Sequence, residues 1–379
     1  MSEKKGLYGT WLVVLGIAIL LGLYAAIRLF AQGHYLFNTN DVIIWSLPLG
    51  VYIFLALTSS GLTLLAGVPL VLKVKKYEPF AKRLVFLAIA TLLGGFVAIG
   101  LELGNVFHMI YIMLSPNFSS PIWWMGFIYS VELVVLIVKF GIMHKGNWHS
   151  GFSNALGVIS FLLALIAPLM IGSVFGITES RVTYFGPMMS VYSLVLGLLS
   201  GTALFLLYSM IFHRVTGDGT VESQTSLYND FTSIFRYVAG IAVIFTIVKF
   251  AIESATVIPE FLVYHQFAHA FGEIRGVHIE VVLGLFLPFV LLLIPSVRQS
   301  AGGKIVTSAL ILIGTLMMHM EILLAGQSHP VGPKAEQYQT FIDYFPSIWE
   351  WLVFLFALAI MLLLYTLGER YLKLAEVPQ

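Results

Sequence analysis

Cysteine is absent from this 379-residue sequence, and charged residues are scarce at 10% of the chain. Without cysteine the chain can form no disulfide, ligate no thiolate-held iron–sulfur cluster and carry no covalently attached c-type haem. Any such centre would have to belong to a partner protein. Walker-type phosphate loops, zinc-ligand spacings and nucleophile elbows are also missing, so ATP-driven and hydrolytic functions have no support.

Hydrophobic residues, in contrast, make up 59% of the chain, and the mean hydropathy is +0.94. One water-soluble core cannot bury so much apolar surface, so the composition predicts a polytopic membrane protein. The apolar runs are continuous and lack the period of two that barrel strands show, which predicts an all-α fold. We count ten hydrophobic segments, predicted to be ten transmembrane helices: 11–30, 47–72, 84–109, 122–143, 152–175, 188–212, 235–256, 279–296, 304–325 and 348–367. The first has no small-residue cleavage site and is predicted to be a retained helix.

Basic residues divide unequally between the two sides of a ten-span protein. Fourteen fall on the side that would hold both termini: Lys4, Lys5, Lys73, Lys75, Lys76, Lys82, Arg83, Lys145, Arg214, Arg236, Arg298, Lys304, Arg370 and Lys373. The other side would hold Arg28, Arg181, Arg275 and Lys334. Because cytoplasmic loops are enriched in lysine and arginine, both termini are predicted to be cytoplasmic.

A weak internal repeat relates the second and sixth segments. Pro48, Tyr52 and Ser60-Gly61 correspond to Pro187, Tyr192 and Ser200-Gly201. A repeat in the same sense, four helices apart, predicts two four-helix bundles related by an axis along the membrane normal. The predicted division of this single membrane domain is a flanking helix and outer loop (1–46), a bundle of spans 2–5 (47–175), a bundle of spans 6–9 (176–325), and an outer loop, closing helix and tail (326–379). Chance matching of common membrane residues is the alternative.

Ionisable groups concentrate in residues 99–132, IGLELGNVFHMIYIMLSPNFSSPIWWMGFIYSVE, where two hydrophobic segments are joined by a turn. Glu102, Asn105 and His108 are three residues apart and are predicted to lie along one face of a helix. Trp123 would belong to an aromatic belt at the interface, and Glu132 follows inside the second arm. Lys139 lies two turns further on the same face, near the helix end, where its side chain can extend to the interface.

Further polar groups fall in the outer half of the predicted membrane region: Lys249, Glu253, Glu280, His319 and Glu321. Charged groups there are costly and by default mark a ligand site or a proton path. Lys249 and Glu253 face each other at i, i+4, either as a structural ion pair or as part of a proton relay. The alternative for His108, His319 and Glu321 is that they extend to the interface. Nothing marks His108 and His319 as partners at matching depth, so a bis-histidine haem is not expected.

These motifs resemble the NrfD family, the polysulfide-reductase type of quinone-reactive membrane subunit. LELGNVFHM followed by SPNFSSPIWW is similar to the hairpin motif of the family, NTNDVIIWSLPLGVYIF to the entry of its second span, and YFPSIWEWLVFLFALAIMLLLY to its closing helix. Many members have Arg-Pro where this chain has Asn105-Val106, so a charge-mediated role is not carried over there. The ten-helix count resembles the branch with the membrane subunits of sulfite-reduction-associated complexes and of alternative complex III.

The resemblance implies a quinone- or quinol-interacting subunit of a respiratory oxidoreductase of sulfur-compound metabolism, in the inner membrane of a prokaryotic cell. It implies menaquinone as the quinone, an iron–sulfur, ferredoxin-like subunit docked on the outer face, further redox subunits, and a capacity for proton translocation. No haem, iron–sulfur cluster, catalytic residue or nucleic-acid partner is expected for this chain. The residues expected to bind the quinone are Glu102, Asn105, His108, Trp123 and Glu132. The expected proton path comprises Lys249, Glu253, Glu280, His319 and Glu321.

Two other functions compete with this interpretation. A secondary transporter or ion channel would also use intramembrane charges and repeats, but its site is expected near the midplane, whereas these polar groups lie toward the outside. A pure membrane anchor would not need them. Copurification with an iron–sulfur partner would separate the quinone interpretation from the transporter interpretation.

Overall fold

The computed structural model describes residues 2–181, 185–216, 224–256, 278–328, 330, 332–337 and 342–377, and the regular structure within these ranges is helical. Each predicted hydrophobic segment corresponds to a helix, which confirms the all-α class. The helices are α1 Ser2–Gln32, α2 Leu47–Leu70, α3 Glu78–Glu102, α4 Pro121–His144, α5 Gly151–Gly176, α6 Met188–Thr216, α7 Thr225–Thr256, α8 Ile279–Leu293, α9 Ala301–Ser328 and α10 Ile348–Tyr371.

Nine of these helices, all except α8, are long and apolar enough to cross a membrane. The chain is therefore a multi-pass integral membrane protein. α8 is shorter because Ile294 leaves the helical conformation, with ψ at 115°, directly before Pro295. Its middle, Val282–Phe286, is π-helical. The predicted count of ten spans is not confirmed, since only nine helices in the described ranges meet the length of a full span.

α2 lies at the centre of the helices of this chain and packs against α3, α5, α6, α9 and α10. Glycines let the backbones of α2 and α6 approach closely. A Cβ on Gly61 would lie 2.0 Å from the Gly197 carbonyl oxygen, and a Cβ on Gly201 would lie 2.7 Å from the Gly61 carbonyl carbon. Thr58 Oγ1 donates to Ser200 Oγ across the same contact at 2.8 Å. The two Ser-Gly pairs of the repeat thus meet where α2 crosses α6, while the division into two bundles stays a prediction.

Side-chain contacts show which connections lie on the same face of the protein. Lys76, before α3, pairs with Asp230 at the start of α7. Lys82 Nζ lies 2.8 Å from Glu376 Oε2 in the C-terminal segment. One face of the protein, which we call the terminal face, therefore holds the connection between α2 and α3 with the start of α3, the start of α7, and the C-terminal segment. At the opposite face, the outer face, the connection between α1 and α2 bonds to the connection between α9 and α10.

We predict that the terminal face is cytoplasmic, because lysine and arginine concentrate there. The cysteine-free chain allows a test with single cysteines. Lys76→Cys is expected to resist a membrane-impermeant thiol reagent in intact cells, and Ser119→Cys, at the outer face, is expected to react. Both side chains are exposed, so reaction depends on the side of the membrane and not on burial. Labelling at position 76 without labelling at 119 would reverse the assignment.

Candidate functional site

The outer end of α3 differs from its prediction. α3 ends at Glu102, because Gly104 has a φ of +51°, a left-handed conformation that glycine adopts readily and that stops a helix. Asn105 then caps a separate 3₁₀ segment, Val106–Ile110, through its side chain. The prediction that Glu102, Asn105 and His108 lie along one face of a helix is therefore wrong, since the chain turns after the first of them.

Asn105 and His108 lie beyond that turn, on the outer surface. Both are exposed, and Asn105 Nδ2 is 3.3 Å from His108 Nε2, so the structure brings these two together. Trp123, in the first turn of α4, is buried, so its ring is surrounded by protein and is not exposed to an interfacial belt. Its Nε1 donates to Ile112 O at 2.5 Å, and its ring stacks on Phe127 with centroids 4.9 Å apart. Trp123 therefore anchors the connection between α3 and α4.

Glu102 is partly buried, and both of its carboxylate oxygens bond to Ser46, the residue that caps α2. Ser46 N lies 2.9 Å from Oε1, and Ser46 Oγ lies 2.6 Å from Oε2. The carboxylate thus faces the N-terminus of α2, where unpaired N–H groups and the helix dipole favour a negative charge. An ionisable group is held between α2 and α3 at the outer face.

A second carboxylate, Glu350, lies near the same helix start, although it is outside the predicted set. Glu350 is fully buried and accepts hydrogen bonds from Asn38 N at 3.1 Å, from Ser347 N at 2.5 Å and from the Tyr344 hydroxyl. Tyr344 Oη accepts in turn from Leu47 N, the first residue of α2, at 2.8 Å. Burial and the adjacent Glu350 charge raise the pKa of the Tyr344 hydroxyl, which therefore stays protonated and donates.

Glu102 and Glu350 are thus connected through the start of α2, and we call Ser46, Leu47, Glu102, Tyr344 and Glu350 the outer carboxylate cluster. The sequence does contain a signal for Glu350: Ser347 and Glu350 form the Ser-x-x-Glu capping box that begins α10. That signal predicts a helix start. It does not predict the contact with α2, which depends on how helices distant in sequence pack.

Two amide side chains that sequence reasoning missed hold the segment before α2. Gln327 Oε1, on α9, accepts from Ile44 N at 3.0 Å and from Trp45 N at 2.8 Å. Asn40 Oδ1 accepts from the two backbone amides two and three residues further on, both at 2.9 Å. These bonds pair N–H groups that an irregular segment beside a membrane would otherwise leave unsatisfied. They fix the position of Ser46 and hence of the group that binds Glu102.

Glu132 lies deeper than the rest of the predicted quinone site. It is fully buried in the middle of α4, with Ser60 Oγ 3.4 Å from its Oε2 and 3.5 Å from the Tyr129 hydroxyl. Its other carboxylate oxygen has no hydrogen-bond partner among the residues that the structure describes. Glu132 follows Trp123 by nine residues on the same helix, a rise of roughly 13 Å. The two therefore lie at different depths.

Lys139 is buried, so the interpretation in which its side chain extends to the interface is wrong. Its Nζ donates to Ser153 O at 2.9 Å, to Ser153 Oγ at 2.6 Å and to Trp148 O at 3.4 Å. Oxygens from the connection between α4 and α5 and from the start of α5 thus take the place of water around the ammonium group. We assign Lys139 a structural role in this turn.

In the second half of the chain, Lys249 on α7 and Glu280 on α8 are both buried. The Lys249 ammonium lies 5.4 Å from the centre of the Tyr192 ring and 5.5 Å from that of the Phe250 ring. Glu280 Oε1 is 2.9 Å from His278 Nδ1, and the His278 ring stacks on Phe250 at 4.5 Å. A series of contacts through Phe250 and His278 thus joins Lys249 to Glu280.

His319 and Glu321, on α9, are buried, so the alternative in which they extend to the interface is wrong for both. His319 Nδ1 lies 2.6 Å from Thr315 O, and its Nε2 has no hydrogen-bond partner in the described part of the chain. The side chain of Glu253 lies outside the described residues, so the pairing of Lys249 with Glu253 stays a prediction. Among the residues predicted to form the proton path, Lys249 and Glu280 are connected by side-chain contacts. His319 and Glu321 lie on another helix, α9.

The fold and these sites define a polytopic helical membrane protein with buried carboxylates near its outer face and within its bilayer region. The chain belongs to the polysulphide reductase NrfD family, whose sequence model matches residues 35–331, and this confirms the resemblance seen in its motifs. It is 22% identical to the Hdr-like menaquinol oxidoreductase integral membrane subunit of Archaeoglobus fulgidus, over 97% of this chain and 93% of that protein. It is also 22% identical to a Halobacterium salinarum protein named as a membrane subunit of dimethyl sulfoxide reductase, over 96% of this chain and 91% of that protein.

Proposed function

We propose that the chain is the quinone- or quinol-interacting integral membrane subunit of a multi-subunit respiratory oxidoreductase of sulfur-compound metabolism. Family membership supports this proposal, as do the names of the two relatives, which are membrane subunits and of which one is a menaquinol oxidoreductase subunit. We propose menaquinone as the quinone and an iron–sulfur, ferredoxin-like subunit at the outer face as the electron partner. Oxidation of one quinol then delivers two electrons to that partner and releases two protons.

The quinone headgroup is proposed to bind at the outer ends of α3 and α4. The observation that carries this placement is the Glu102 carboxylate, held at the start of α2 by two hydrogen bonds from Ser46. An ionised carboxylate has about four acceptor positions, so Glu102 can also accept a quinol hydroxyl. The exposed His108, beside Asn105, can pass the released proton to water. The Trp123 ring supplies a flat apolar wall.

Glu132 cannot bond the same headgroup position, because it lies roughly 13 Å further along α4 than Trp123. We propose that Glu132 contacts the quinone only in a second, deeper position. Its Oε1, which has no hydrogen-bond partner among the described residues, supports a role as acceptor there, while Ser60 Oγ lies 3.4 Å from Oε2. Variants of Glu102 and Glu132 therefore distinguish the two positions.

The proposed function is tested by purifying the complex through a tag on this chain. We expect an iron–sulfur subunit to copurify, and its clusters to exchange electrons with a soluble quinol analogue, followed by the absorption of the clusters. The contrary result is a chain that purifies alone and moves a solute across vesicles without quinol-dependent electron transfer. That result would favour the transporter interpretation.

Proton translocation is proposed to use Lys249, Glu253, Glu280, His319 and Glu321. We predict that Glu280→Gln lowers the number of protons moved per electron at least about twofold while electron transfer changes less. Glutamine keeps the size of the side chain and a hydrogen bond to His278, but it cannot carry a proton. The same result is predicted for Glu253→Gln.

The measurement is the ratio of protons to electrons in sealed vesicles that contain the intact complex. Glu336→Gln serves as a matched control, because Glu336 is an exposed glutamate outside the long helices. An unchanged ratio in both the Glu280 and the Glu253 variants would remove these residues from the proton path.

A further inference from the structure

An apolar groove of about 200 Å³ lies between α1, α6 and α10, near the terminal face. Its walls include Trp11 of α1, Leu207, Tyr208 and Ile211 of α6, and Leu362 of α10. Ile211 is 40% exposed, and α1 lies at the periphery with most of its side chains exposed, so the groove opens toward the surrounding lipid. A cavity of about 150 Å³ can take up benzene, so this groove can hold several methylene groups of a hydrocarbon chain.

The polar groups at this groove bond to one another. Thr366 Oγ1 accepts from Trp11 Nε1 at 3.1 Å and lies 3.0 Å from the Tyr208 hydroxyl. These bonds join α1, α6 and α10 at one point. Because these side-chain hydrogen bonds are made within the protein, the groove presents hydrocarbon to its occupant. The part of a ligand that fits here is therefore an acyl or isoprenoid chain.

A positive charge lies on α10 two turns beyond the groove residue Leu362, toward the terminal face. Leu362, Thr366 and Arg370 are four residues apart on α10 and share one face of that helix. Arg370 is exposed at the terminal face, and its guanidinium carbon lies 5.1 Å from the centre of the Tyr8 ring on α1. A guanidinium has five donors in a planar fork that matches a phosphate group. The groove and Arg370 together therefore match a molecule with a hydrocarbon chain and an anionic phosphate head.

We propose that this groove is the binding site of one anionic phospholipid, with an acyl chain between α1, α6 and α10 and the headgroup phosphate on Arg370. The charge of Arg370 favours a phospholipid over the uncharged headgroup of a quinone. The bound chain would fill the space that α1 and α6 leave between them, and so hold the peripheral α1 against the other helices. This site is separate from the outer carboxylate cluster and does not depend on the proposed quinone chemistry.

The test uses the full chain, purified in mild detergent and titrated with phosphatidylglycerol or phosphatidylcholine of identical acyl chains, with binding followed by native mass spectrometry. We expect one phosphatidylglycerol to bind about fivefold more tightly than phosphatidylcholine, as one arginine near an anionic headgroup predicts. Arg370→Gln is expected to remove this difference. Leu207→Trp fills the groove and is expected to abolish tight binding of both lipids. Ile211→Trp, at a partly exposed wall position, tests the same point should the Leu207 variant not fold.

Matched controls lie on α7. Arg236 also stacks on a tyrosine, Tyr237, at 4.6 Å, and Ile244 is an exposed apolar residue, so Arg236→Gln and Ile244→Trp are expected to bind both lipids like the unchanged protein. Equal binding of the two lipids to the unchanged protein would overturn the proposal. Equal losses of phosphatidylglycerol binding in the Arg236 and Arg370 variants would also overturn it. Displacement of the bound phospholipid by menaquinone at matched concentration would overturn it too, and would assign the groove to a quinone tail.

Discussion

A Glu102→Gln variant is expected to lose quinol-linked turnover at least about tenfold while the complex stays assembled. Glutamine has the shape of glutamate, and its amide group can still accept from Ser46 N and donate to Ser46 Oγ. The start of α2 is therefore kept, and the variant loses only the ionisable group that is proposed to take a proton from the quinol. Turnover with a soluble quinol analogue measures the effect, and copurification of the partner subunits measures assembly.

Three further variants locate the site. His108→Ala is expected to lower turnover by a similar factor, because it removes the group that is proposed to pass the proton to water. Ser46→Ala removes one hydrogen bond but keeps the carboxylate, so it should cost about 1 kcal/mol of stability and affect turnover less than Glu102→Gln. Near-normal turnover in both Glu102→Gln and His108→Ala would contradict the outer position. A loss of turnover in Glu132→Gln alone would then place the headgroup deeper. Normal turnover in Glu132→Gln as well would move the headgroup toward Glu253 and Glu280.

A Glu369→Ala variant is expected to lower the free energy of unfolding by about 3 to 5 kcal/mol. Arg83 and Glu369 form a bidentate ion pair between α3 and α10, with Nε to Oε1 at 2.8 Å and Nη2 to Oε2 at 3.3 Å. The side chains are only 2% and 6% exposed, so removing the carboxylate leaves a buried guanidinium without its counter-charge. Equilibrium unfolding in mixed micelles measures the loss.

Asp230→Ala is the matched control, since Lys76 and Asp230 form an ion pair with about half of each side chain exposed. Its loss is expected to change stability by less than about 1 kcal/mol. The double variant Arg83→Met with Glu369→Leu is expected to recover most of the stability, because it removes both buried charges. A Glu369→Ala protein no less stable than Asp230→Ala would show that water or lipid headgroups solvate Arg83.

The positions of the helices could be predicted from the sequence alone. In a membrane every backbone N–H and C=O must be satisfied within the segment, so a long apolar run has to become a helix. The observed bounds of α4 and α5, Pro121–His144 and Gly151–Gly176, differ from the predicted segments by one residue at each end. The order of the hydrophobic segments likewise predicted which connections share a face, and the contacts of Lys76 with Asp230 and of Lys82 with Glu376 agree.

The end of α3 could not be predicted in the same way. The apolar pattern continues to residue 109, and hydrophobic spacing gives no sign of the turn after Glu102. Gly104 was the available signal, but a glycine within an apolar run is common in membrane helices and does not by itself end one. The grouping of Glu102 with His108 on one helix face failed for this reason. The two residues remain close in sequence, on either side of a turn at the outer face.

The sequence by itself determined the class of the protein, the approximate positions of its helices and its family, because each of these depends on local composition or on short motifs. Only the tertiary structure decided which polar groups meet. Ser46 joins Glu102, and Leu47 joins Glu350 through Tyr344, although α2 and α10 lie at opposite ends of the chain. Lys139 is held by Trp148 and Ser153, whereas its position in the sequence predicted a side chain that extends to the interface. The physical reason is that a buried polar group takes whichever partner helix packing brings within hydrogen-bond distance, and spacing along one helix does not specify that partner.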